Sequence, residues 1–159
     1  MHSMIKITLI GIGATLLIDL LGFVLGLFNI KSLDYRLVGR WLANLPHGIY
    51  FHKNIVNTAP VHGELFLGWT AHYLTGIAFA FLLFFLFGKE WLDDPAFLPA
   101  LLVGIVTIVA PFFIMQPAFG FGIASSDLPQ PNIRRLKSLL THTVYGAGLY
   151  WMALLLKRF

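Results

Sequence analysis

Three side chains in this sequence could do chemistry that their surroundings make expensive: Asp19, His72 and His142. Each lies inside a long apolar run, where an ionisable group costs several kcal/mol and normally faces a partner or a cavity. Aspartate and histidine are the usual proton carriers at membrane depth. A carboxylate favours the charged form of a nearby imidazole, so the set could bind a proton or a small ligand and support proton-coupled transport. Two histidines and a carboxylate also match an open facial site for a divalent metal. His72 and His142 on separate helices could instead be axial ligands of haem b, which makes a haem- or metal-binding component of a membrane oxidoreductase the alternative. Enzymatic activity follows only if such a cofactor is present. A purely structural role, as interhelical glue worth about 0.6 kcal/mol per contact, is the third reading.

Depth and spacing favour a shared location. Asp19 lies nine residues from one end of its run, about 14 Å at helical rise, and His72 seven residues from the same face, about 10 Å. Gly11, Thr15, Asp19, Gly22 and Gly26 form one helical stripe, as do Glu64, Gly68, His72, Gly76 and Ala80, and Ser138, His142, Gly146 and Ala153. Small residues let helices approach closely in lipid, so the polar side chains are expected to face a bundle interior. Gln116 has the right depth but is out of phase with the Gly104–Thr107–Pro111 stripe. Pro111 removes a backbone donor, and a kink there would re-aim Gln116 into the set. His47, His52 and Glu64 could line the mouth of the site from loops.

The elements that must hold these residues are four apolar runs, Ile7–Phe28, Leu65–Phe87, Ala96–Met115 and Leu139–Leu156. About 20 apolar residues span a hydrocarbon core as a helix, and in lipid each run must pair its own backbone. The expected fold is all-α: a polytopic four-helix transmembrane bundle forming one domain over 1–159, with spans at about 5–28, 65–87, 96–118 and 134–156. The first run is too long for a signal peptide, carries Asp19 and lacks a small-x-small cleavage site, so it reads as a retained span. Between the first two spans Leu33, Leu37, Trp41 and Leu45 recur at helical spacing after Ser32, a candidate N-cap. This predicts a short amphipathic helix over 32–45 lying in the membrane interface, with Arg36 and above all Arg40 available to a lipid headgroup or other anionic ligand. The two long loops carry seven Lys and Arg against four on the other side. The positive-inside rule then puts the loops in the cytoplasm and both termini in the periplasm.

Composition agrees. Hydrophobic residues are 58% and charged residues 11% of the 159 residues, and mean hydropathy is +0.80; soluble domains carry about 25% charged residues. The net charge of +4 comes from eleven scattered Lys and Arg, which form no phosphate-tracking face, so no nucleic-acid partner is expected. The expected partners are the lipid bilayer and further copies of the chain. There is no cysteine, which excludes disulfides, thiolate metal sites and covalently attached c-type haem. Gly11-Ile12-Gly13-Ala14 lies inside an apolar helix and is not a dinucleotide loop.

Taken together, Gly11-Ile12-Gly13-Ala14-Thr15 with Asp19, Val38-Gly39-Arg40-Trp41, Gly68-Trp69 through His72-Tyr73, Pro111-Phe112-Phe113-Ile114-Met115-Gln116-Pro117, and Thr141-His142 through Tyr145-Gly146 resemble a small bacterial membrane-protein family, the domain of unknown function 2938. The resemblance runs from about Gly11 to Tyr150. It implies a bacterial inner-membrane protein of about four helices, with Asp19, His72, Gln116 and His142 among its signature positions, and it implies no activity.

Overall fold

The computed structural model describes residues 2–158. Their regular structure is helical throughout, with no strand among the described residues. Helix α1 (Ser3–Leu27) ends in a Schellman turn: Asn29 takes φ +59°, and the Asn29 and Ile30 N–H groups bond back to the carbonyls of Gly26 and Leu25. Helix α2 (Tyr35–Asn44) starts at Asp34, whose carboxylate accepts the Arg36 N–H at 3.0 Å. The cap is thus Asp34, not Ser32, and the helix is shorter than the 32–45 expected. Asp34 wins because its oxygen reaches the second N–H of the helix that actually forms.

Helix α3 (Glu64–Asp93) runs past the expected end because polar residues continue it beyond a break at Gly88, φ +70°. Helix α4 occupies Phe97–Ala118 in three pieces: a regular stretch to Val106, a π turn over Pro111–Met115 and a last α turn from Gln116. Helix α5 (Pro131–Leu156) starts three residues before its expected position, with Pro131 in its first turn, where the missing N–H costs nothing. The helices α1, α3, α4 and α5 are each long and apolar enough to cross a membrane. In α3 apolar side chains lie on both the buried and the exposed faces: Leu83 is 0% exposed and Phe85, two residues on, is 75% exposed. A water-soluble helix would carry polar residues on that second face.

The contacts group the chain into two compact units. The first comprises Met1–Ser32, Tyr73–Thr107 and Leu139–Phe159. Ile10, Ala14, Leu83, Ala100, Leu149 and Ala153 are at the centre of its core. Small residues set the helix approach. A Cβ on Gly104 would strike the Gly146 backbone, and one on Gly11 would meet Ile77 Cα at 2.7 Å. The Tyr145 hydroxyl then donates to the Gly76 carbonyl at 2.5 Å, tying α5 to α3.

The second unit comprises Leu33–His72 and Ile108–Ser138. Its core is Ile55, Ala118 and Phe119, covered by Leu37, Val38 and Trp41 of α2. Trp41 packs edge-on against Phe119 and donates its indole N–H to the Tyr50 carbonyl at 3.0 Å. The apolar stripe of α2 therefore packs on protein. Gly39 and Gly68 mark the crossing of α2 and α3. A Cβ on either would overlap a backbone carbonyl, of Glu64 or of Tyr35 respectively.

Candidate functional site

The polar residues at depth are each held by a neutral hydrogen-bonding group. In the first unit the Tyr73 hydroxyl of α3 donates to Asp19 Oδ2 of α1 at 2.7 Å, and both residues are half-buried. A charged acceptor shortens and strengthens such a bond, and it offsets part of the cost of keeping a carboxylate in apolar surroundings. His142 Nδ1 lies 3.2 Å from the Gly104 carbonyl and 3.0 Å from Thr107 Oγ1. The Thr107 hydroxyl spends its own proton on that same carbonyl at 2.6 Å. Both neighbours of Nδ1 therefore act as acceptors, so Nδ1 carries the hydrogen and Nε2 keeps its lone pair.

In the second unit His72 Nε2 meets the Tyr35 hydroxyl at 3.1 Å. The Tyr35 ring lies 4.3 Å from the imidazole and 4.6 Å from Trp69, so the histidine has an aromatic wall.

A π turn over Pro111–Met115 precedes Gln116. The Gln116 N–H bonds five residues back to the Pro111 carbonyl, and the extra residue rotates everything after it by about 100°. Its Oε1 then accepts the buried Ser125 hydroxyl at 3.1 Å. Ser125 and Ala124 both have positive φ, +61° and +49°, so Gln116 helps to hold a strained turn.

Arg40 differs from its expected availability to an anionic ligand. Its Nε and one terminal nitrogen grip both oxygens of Glu64 at 2.8 and 2.9 Å, and its other terminal nitrogen donates to the carbonyls of Ile55 at 3.1 Å and Thr58 at 2.8 Å. Four of the five guanidinium N–H groups are thus committed inside the protein. Glu64 Oε2 also accepts the Val61 N–H at 3.0 Å. Both side chains are buried, 8% and 10% exposed. Donation to the Glu64 carboxylate raises the Arg40 guanidinium above its already high range.

Among the described residues no group of three or more His, Cys, Asp or Glu side chains that could hold a metal ion is found.

The sequence model of the family described as Protein of unknown function (DUF2938) matches residues 8–156. The chain belongs to that family. No curated protein and no solved structure matches it. In this DUF2938 chain Tyr35, Tyr73, Thr107 and Ser125, which bond to the polar residues, are not singled out by periodicity alone. From sequence Glu64 heads the His72 stripe and is a candidate for the mouth of the site, and nothing in the spacing links it to Arg40, 24 residues away. Its burial and the wide reach of arginine are what pair them.

Proposed function

We propose that this DUF2938 chain is a multi-pass membrane protein that binds a proton, or a small polar ligand in its place, at Asp19 and Tyr73. The single observation that carries the reading is the 2.7 Å bond from the Tyr73 hydroxyl to Asp19 Oδ2, made between two helices apolar enough to cross a membrane. A hydroxyl donor on a carboxylate inside such a helix pair is the kind of contact a proton-binding site uses. Coupling of that proton to transport extends the same proposal. An inner-membrane location with both termini periplasmic rests on the loop charges.

Infrared difference spectroscopy of the reconstituted protein tests it. A protonated-carboxyl band should appear as pH is lowered, disappear in Asp19→Asn, and shift in frequency in Tyr73→Phe, which loses the hydrogen bond. A pH-dependent carboxyl signal that survives Asp19→Asn unchanged would overturn the assignment.

One observation favours the cofactor reading. His142 donates through Nδ1 to a backbone carbonyl, the outer-shell bond that orients a ligating histidine and leaves Nε2 basic. On that reading the protein purified in mild detergent shows a Soret band or retains a metal, and His142→Ala removes it. A colourless, metal-free preparation from cells supplied with haem and metals sinks it.

A further inference from the structure

The loop from Gly48 to Gly63 has sixteen residues and is bounded by two glycines in the left-handed region, φ +76° and +77°. Loops of that length are usually functional or disordered. This one is pinned. The His52 N–H bonds to the Ala118 carbonyl at 2.8 Å and the Ile55 N–H to the Phe119 carbonyl at 3.0 Å, while Arg40 holds the carbonyls of Ile55 and Thr58. Ile55 is fully buried.

On this frame lies an open cavity of about 610 Å³ lined by Lys53, Asn54, Asn57 and Thr58. Its wall offers an ammonium, two carboxamides and a hydroxyl. The loop contains Lys53, His52 and His62 and no Asp or Glu, and the nearest carboxylate along the chain, Glu64, is spent on Arg40. His52 Nδ1 meets the Oγ1 of the lining residue Thr58 at 3.1 Å. His52 is 9% exposed, and its Nε2 is buried with no hydrogen-bond partner among the described residues. Buried polar atoms are normally hydrogen-bonded, to protein or to ordered water.

We propose that this cavity binds a phosphate group, with Lys53 as the cation and the Asn54 and Asn57 amides as neutral donors. The frame costs little to organise because it is already held from behind. Arg40 is the device that fixes the loop, and Lys53 is the charge that meets the anion. The phosphate could be the headgroup of an anionic lipid or a free phosphate ester, and the two sources differ in the test.

The full chain in neutral detergent would be examined by native mass spectrometry with phosphatidylglycerol against phosphatidylcholine. In parallel it would be titrated with inorganic phosphate and glycerol 3-phosphate, with tryptophan fluorescence as the readout. Lys53→Glu, and separately Lys53→Ala with Asn57→Ala, should weaken binding by about tenfold or more, since a charge-assisted hydrogen bond is lost. Lys31→Glu, a charge reversal at another exposed lysine, should leave it unchanged. Selective retention of phosphatidylglycerol identifies the lipid source, and saturable binding of the soluble phosphates the other. Equal binding by wild type and Lys53→Glu, an equal loss in Lys31→Glu, or no binding of any of these phosphates overturns the proposal. All three substitution sites are exposed, so an unchanged melting temperature is expected and separates lost binding from lost fold.

Discussion

Arg40→Met is expected to destabilise the protein by about 3–5 kcal/mol, because it leaves Glu64 as an uncompensated buried carboxylate. The methionine retains most of the apolar stem, so lost packing contributes little to this figure. Glu64 keeps the Val61 N–H as a hydrogen-bond donor, and the carbonyls of Ile55 and Thr58 lose theirs. Arg40→Lys should recover only part of the loss, because an ammonium cannot grip both carboxylate oxygens and reach two carbonyls from one plane. Arg40→Met with Glu64→Leu should be more stable than Arg40→Met alone, since the second change removes the stranded charge. Denaturant or thermal unfolding in detergent measures the series, and limited proteolysis within 48–63 reports the loop directly. If Arg40→Met melts with the wild type, the ion pair is not what holds that loop.

That ion pair also marks where the sequence stops being legible. The four long helices follow from apolar run length, because lipid leaves a backbone no other way to satisfy itself. Their ends were harder to place. Gly88 breaks α3 at the expected boundary, yet polar residues carry the helix on to Asp93. Pro111 announced a disturbance in α4, and a π turn is one of several ways to meet it. The depths of Asp19, His72 and His142 could be counted from run ends. Their partners could not, since tyrosine and threonine look alike whether they face lipid or a carboxylate. Loop 48–63 has no periodicity at all. Its order comes from Arg40 and from backbone bonds to Ala118 and Phe119, residues more than sixty positions away.

The polar residues share a common construction. Tyr73 serves Asp19, Tyr35 serves His72, and Thr107 with the Gly104 carbonyl serves His142. In each of these bonds a neutral group meets an ionisable one. Arg40 and Glu64 are the opposite case, a fully charged pair locked by four hydrogen bonds from the guanidinium. Fixed charge thus serves the framework of the second unit.

Gly104→Ala should reverse the usual ranking of helix formers. Alanine in place of glycine in a helix interior ordinarily stabilises by about 0.8–1.0 kcal/mol. At Gly104 the added Cβ would sit 2.6 Å from the Gly146 nitrogen and 2.7 Å from the His142 carbonyl oxygen. Those atoms are backbone and cannot rotate away, so α4 and α5 must separate. Overpacking of this kind costs about 1–3 kcal/mol, and here the separation also pulls the Gly104 carbonyl from His142 Nδ1. Gly26→Ala is the control: nothing lies within 4 Å of its added Cβ, so only the propensity gain remains. The pair should move melting temperatures in opposite directions, Gly104→Ala downward and Gly26→Ala upward or not at all. In Gly104→Ala the protonation of His142, followed by nitrogen NMR of the labelled ring, should change with the lost carbonyl. If Gly104→Ala is as stable as the wild type and its His142 resonances are unmoved, the two helices do not meet at these glycines.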